Sequence, residues 1–169
     1  MLRSILLALD HSENSDAVVE LGIHWTKQLG AKLVGIGIVD QPLMISTAPA
    51  PESDEDAPEL EGHWKEDEQR VEQCLERFSQ RCDEAGVDAR AIKDVGPPSD
   101  RILLEANRHD LVLLSPHFQT PTSGGDLFRQ VVRSAPRPVV SVPKELPSGD
   151  SIMIAFDGSV QAARGCTPS

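Results

Sequence analysis

Two stretches, SILLAL at 4–9 and AKLVGIGIVD at 31–40, are nearly continuous apolar runs, and each ends in an aspartate. Runs of this length that are apolar on both faces predict strands covered on both sides, as in a parallel sheet flanked by helices. Between them Ala17, Val18, Leu21, Trp25 and Leu29 recur at helical spacing and Gly30 follows as a stop, which makes one βαβ unit. Residues 41–61 scatter four prolines among acidic side chains and predict an acidic loop. A long helix follows, with its apolar face traced by Trp64, Val71, Leu75, Phe78, Cys82 and Ala85 before Gly86.

The alternating segment VDARAIKDV at 87–95 predicts a strand, and Gly96, Pro97 and Pro98 break it. Ser99 is placed to cap a helix whose buried face is Ile102, Leu103 and Ala106. DLVLLS is the next buried strand; a glycine-containing loop, a short helix over 126–135 and PVVSVP complete the pattern. Strand and helix alternate throughout, so the fold class is α/β with a five-stranded parallel, doubly wound sheet, and ligands are expected at the carboxyl ends of its strands.

The run SILLALDHS at 4–12 returns as SIMIAFDGS at 151–159, with Ser, Ile, Ala, Asp and Ser at equal spacing. This is an internal repeat one whole domain apart. It divides the chain into a domain at 1–144, a linker at 145–150 and the start of a second, incomplete domain at 151–169.

The chain has 169 residues and a formal net charge of -11, with no basic patch, so neither nucleic acid nor an anionic membrane surface is an expected partner. The opening apolar run is too short to span a bilayer and lacks a signal-peptide cleavage site, and the three cysteines, Cys74, Cys82 and Cys166, form no CxxC pair. A cytoplasmic protein with reduced thiols is the expectation. The GxG of VGIGIV lies inside a strand instead of opening a helix, so it is no dinucleotide fingerprint; its small residues admit either a helix or a purine against the sheet. No GxSxG, HExxH or Cys-His arrangement is present, and no catalytic or metal-binding residue is assigned. His11 and His117 are expected as solvent-facing loop residues, His24 beside its helix face, and His63 and His109 at exposed helix edges.

ILLALDHSENS, IGIVD, VGPPSDRILLEANRHDLVLLS and RSAPRPVVSVPKE, in this order and spacing, resemble the universal stress protein family, most closely its tandem two-domain members. The resemblance implies the flavodoxin-like, adenine nucleotide α-hydrolase-like strand order 3-2-1-4-5. It also implies a non-catalytic stress-response role and association as a homodimer or with a second domain of the same kind. The last strand, with Val139, Val140 and Val142, is the edge for that association.

In family members that bind ATP, the aspartate ending the first strand contacts the nucleoside, an apolar residue ending the second packs on adenine, and a Gly-x-x-Gly, nine residues, Gly-Ser/Thr motif holds the phosphates. By position Asp10 and Ile38, with Ala8 beside them, fill the first two roles. The third departs: Ser115, Pro116, His117 and Phe118 replace Gly-x-x-Gly, and Gly125 and Asp126 stand on the Gly-Ser/Thr pair. Phe118 is bulky where backbone N–H groups must approach oxygen closely. Asp126 would set a carboxylate against phosphate, a repulsion of about 4 kcal/mol at 4 Å in a partly shielded site. The expectation is a degenerate nucleotide motif with no cofactor, and the alternative is an ATP-binding, nucleotide-dependent switch. For Asp10 itself, a plain role in capping the first helix with Ser12 stands beside the ligand contact.

Overall fold

The computed structural model describes residues 2–40, 57–119 and 127–146, with backbone alone at 57–64. Five strands alternate with four helices: β1 (Ser4–Leu9), α1 (Asn14–Leu29), β2 (Lys32–Val39), α2 (Ala57–Glu84), β3 (Ala89–Val95), α3 (Pro98–Ala106), β4 (Leu111–Leu114), α4 (Leu127–Ser134) and β5 (Val139–Ser141). They form one all-parallel sheet of order β3-β2-β1-β4-β5, as the resemblance implies. The repeat start at 151–169, and the linker from residue 147 on, lie outside the described residues.

The continuous apolar character of β1 has a direct structural cause. Ile5, Leu7 and Leu9 pack with residues of α1 and α2 in one buried cluster, while Leu6 and Ala8 pack with residues of α3 and α4 in another. Alternate side chains point to opposite faces of a strand, so burial on both faces removes any polar position. The glycines of β2 set the spacing of the α2 layer. A Cβ on Gly35 would sit 2.8 Å from Phe78 Cε1, and one on Gly37 would sit 2.9 Å from Val71 Cγ1. The small residues of VGIGIV therefore admit a helix, which decides between the two readings of that motif.

Helix ends follow backbone chemistry. Gly30 takes φ 64° and its N–H donates to the Thr26 carbonyl, closing α1 in the left-handed conformation that glycine adopts without penalty. At the amino end of β1, Asp110 fastens the sheet: its Oδ2 accepts from the N–H groups of Arg3 at 2.8 Å and Ser4 at 3.1 Å.

Several sequence expectations need correction. Helix α2 starts at Ala57, so 57–61 is helix and not loop; Pro58 lacks only an N–H that a first turn leaves unpaired. The rest of the expected acidic loop lies outside the described residues. Ser99 does not cap α3: Pro97 holds the cap position and Pro98 opens the helix with its preset φ. The buried stripe of α1 runs through Val18, Gly22 and Thr26, and the helix packs there through its smallest residues, since a Cβ on Gly22 would lie 2.8 Å from Leu7; Leu29, the last residue of the helix, is 43 % exposed. Strand β3 begins at Ala89, two positions later than expected, and Val87 is buried ahead of it. His109 is 7 % exposed and not at an exposed edge: it follows α3 directly into β4, and its Nε2 lies 3.3 Å from Glu105 Oε1.

Candidate functional site

The strand order reverses between β1 and β4, and the loops leaving their carboxyl ends separate there toward opposite faces of the sheet. Open α/β sheets place ligand sites at this point. Asp10, the first residue beyond β1, stands in it and is 5 % exposed.

Both carboxylate oxygens of Asp10 are engaged within the protein. Oδ1 accepts from the hydroxyls of Ser12 and Ser15, each at 2.7 Å, and from the Ser12 N–H at 3.2 Å. Oδ2 accepts from the N–H of Gln119 at 2.7 Å. The Asp10 N–H in turn donates to Ser15 Oγ at 2.8 Å. A buried carboxylate without a cation is stabilised by such a set of donors, and charge-assisted bonds of this length are the stronger kind. The Gln119 bond crosses the switch point and ties the loop after β4 to the loop after β1. The capping role has a specific form: Ser12 Oγ accepts from the Asn14 N–H at 3.2 Å at the start of α1, and Asp10 acts on the helix through Ser12 and Ser15 instead of bonding its N–H groups.

Ala8 is buried in the cluster on the α3/α4 face, and Ile38, at 7 % exposure, belongs to the same cluster. Phe118 packs against that cluster and, with Asp10, Ile38 and Gln119, lines one cavity. The volume left there is about 10 Å³. That is near the room one water requires and far below the roughly 300 Å³ at which small-molecule pockets begin. Ser115 is 1 % exposed and faces inward; its Oγ accepts from the His117 N–H at 3.1 Å and so shapes the turn that carries Phe118 over the site. Asp10, Ile38 and Phe118 thus line one cavity, with Ala8 in the adjoining cluster and Ser115 at the base of the loop. Gly125 and Asp126 lie outside the described residues.

Three site residues were not singled out from the sequence. Gln119 contributes through its backbone N–H, which carries no sequence signal. Asp67, 6 % exposed, accepts from the Asp40 N–H at 3.0 Å and lines the same cavity; a carboxylate one turn before Val71 on the buried stripe of α2 was the available clue. Cys74 donates from Sγ to the Asp10 carbonyl at 3.0 Å. Burial pushes its thiol up to about 11, against the reach of Arg77, so it is an uncharged hydrogen-bond donor there and not a nucleophile. Lys144 Nζ bonds Glu13 Oε2 at 2.7 Å beside the site. His117 is exposed in its loop and His11 half-buried. Among the described residues no group of three or more His, Cys, Asp and Glu is placed to hold a metal ion, and no helix is long and apolar enough to cross a membrane.

A doubly wound parallel sheet of this order, with an aspartate at the β1 end facing the β4 loop, defines the class of flavodoxin-like α/β domains with a crevice at the switch point. Within that class the chain belongs to the universal stress protein family, whose model matches residues 1–143. Similar solved structures include universal stress protein UspA from Lactobacillus plantarum, 18 % identical with a TM-score of 0.67, over 83 % of this chain and 97 % of that one. A universal stress protein in complex with cAMP is 20 % identical with a TM-score of 0.60, over 85 % and 99 %. A universal stress protein family protein from Arabidopsis thaliana with AMP bound is 18 % identical with a TM-score of 0.54, over 86 % and 96 %. A search of curated protein sequences returns no match.

Proposed function

We propose that this chain is a non-catalytic stress-response factor of its family, one in which the nucleoside crevice is filled by the protein's own side chains and serves to hold two loops together. The observation that carries this reading is the closure of the site. Both oxygens of Asp10 are satisfied internally, and Phe118 and Gln119 leave about 10 Å³ where a base would have to enter beside Ile38. Two similar solved structures hold cAMP and AMP; in this chain the crevice at Asp10 is given over to internal bonds. Action through association with a like domain is the accompanying proposal. Its support is β5, which pairs with β4 alone among the described strands and leaves Val139 and Val140 half-buried at the sheet edge. A cytoplasmic setting accords with the acidic chain and the free, buried thiols of Cys74 and Cys82.

Calorimetric titration of the full chain with Mg·ATP, AMP and cAMP tests the reading. No saturable heat and no rise in thermal midpoint is the expected result. Saturable binding by any of the three, with matching thermal stabilisation, would establish the rival reading of a nucleotide-dependent switch.

A further inference from the structure

The sheet edge opposite β5 offers a different surface. Strand β3 pairs with β2 along all seven of its residues and, among the described residues, carries no strand on its outer side. Helix α2 lies along this edge, and between them runs an open groove of about 700 Å³ with Leu75 and Ala91 in its lining. The helix wall of the groove is acidic: Glu72, Glu76, Asp83 and Glu84 succeed one another along it. From Glu72 to Asp83 the stripe extends roughly 16 Å at the helical rise. Alternate side chains of an extended peptide stand about 6.7 Å apart, so two or three of them fall along that length.

The groove already holds one ammonium group. Lys93, projecting from β3, places Nζ 2.8 Å from Glu68 Oε1 and 2.6 Å from Glu72 Oε1, and these bonds raise its affinity for the proton. The remaining wall carboxylates, Glu76, Asp83 and Glu84, have no cation in the set of ion pairs found among the described residues; Glu84 Oε1 accepts from Gln80 Nε2 at 2.9 Å. On the opposite face of β3, Ile92 is half-buried against the α3/α4 cluster between exposed Arg90 and Asp94, so a strand added to this edge would meet acid on one face and, on the other, an apolar residue flanked by one charge of each sign.

We infer that the β3 edge with its α2 wall is a docking surface for an extended, basic peptide segment, in which Lys or Arg alternates with apolar residues and which joins the sheet as a sixth strand. Main-chain bonds to β3 supply the geometry of strand addition, and the acidic stripe selects the cations. This inference is independent of whether the crevice at Asp10 takes a nucleotide.

The test uses the full chain and a fluorescent octapeptide of alternating lysine and valine, with an alternating glutamate and valine octapeptide as the control, followed by anisotropy at low and high ionic strength. The basic peptide is expected to bind, to weaken with salt and to protect β3 amides from hydrogen exchange. Reversal of the free acids, Glu76→Lys with Asp83→Lys, is expected to weaken binding about tenfold or more. Lys93→Met, which releases Glu68 and Glu72, is expected to tighten it about two- to fivefold at low salt. The inference is overturned by equal binding of the acidic peptide, by indifference to both variants, by protection confined to other strands, or by no binding of the basic peptide.

Discussion

Replacing Asp10 by alanine separates a structural carboxylate from one kept for a ligand. The substitution removes the acceptor of four hydrogen bonds, three of them 2.7 Å long. Ser12 is half-buried and its hydroxyl can turn to water, so its loss costs little. Ser15 is 6 % exposed and the Gln119 N–H sits at a partly buried bond, so both lose a charged acceptor that solvent replaces poorly. Hydrogen bonds to charged groups contribute about 1.5–3 kcal/mol each, so two such losses destabilise the fold by about 3–6 kcal/mol. In a domain of this size that lowers the thermal midpoint by about 6–24 °C. Asp10→Asn keeps one oxygen for Gln119 while the serine hydroxyls rearrange, and is expected to cost about 1–2 kcal/mol. Urea unfolding followed by circular dichroism, with no nucleotide added, measures both. An Asp10→Ala protein within about 0.5 kcal/mol of the parent, the range of an ordinary surface change, would refute the structural role.

Further outcomes follow from the packing and the charges. Gly35→Ala forces a methyl to within 2.9 Å of both Phe78 and Leu9, and overpacking of this kind is expected to cost about 1–3 kcal/mol in urea unfolding. Phe78→Ala, at a side chain 1 % exposed, is expected to cost about 3–5 kcal/mol by the same measurement. Backbone hydrogen bonds from Arg3, foremost, and from Ser4 hold the Asp110 carboxyl below its ordinary value. A depressed carboxyl stabilises the fold above its unfolded value near ~3.9 and loses that contribution as pH falls through its folded value. Asp110→Asn should therefore be less stable than the parent at neutral pH, with the difference narrowing below about pH 4 in acid titrations of the unfolding midpoint. Burial raises both Cys74 and Cys82 to about 11, so at pH 8 about a thousandth of each is thiolate. Mass-resolved alkylation of the native chain should leave these two unlabelled on a timescale that modifies them fully in urea.

The alternation of strand and helix was legible because each buried run of β1 and β2 is apolar on both faces and each of α1 and α2 is followed by a glycine at positive φ, Gly30 and Gly86. The exact strand order came from resemblance, since parallel strands joined by helices admit several orders. Errors arose where position in the fold overrode local preference. Leu29 fits the apolar period of α1 and lies on the same side of the helix as Gly22, yet as the last residue of the helix it is 43 % exposed. His109 looks like a surface residue by type, but the tight passage from α3 into β4 buries it. At the site, Asp10, Ile38 and Phe118 could be placed by position along the chain. The bond that unites them with the loop after β4 uses the Gln119 backbone, and side-chain identity says nothing about that.

The central claim is that the crevice at Asp10 is filled by the protein itself. Its most direct test is to purify the full chain without added nucleotide, denature it, and assay the released small molecules by mass spectrometry, with metal-free and Mg²⁺-supplemented preparations compared. No adenine nucleotide above trace amounts is expected in either preparation. Release of ATP, AMP or cAMP in stoichiometric amounts would contradict it, because Phe118 and Gln119 would then have to leave the positions from which they close the site.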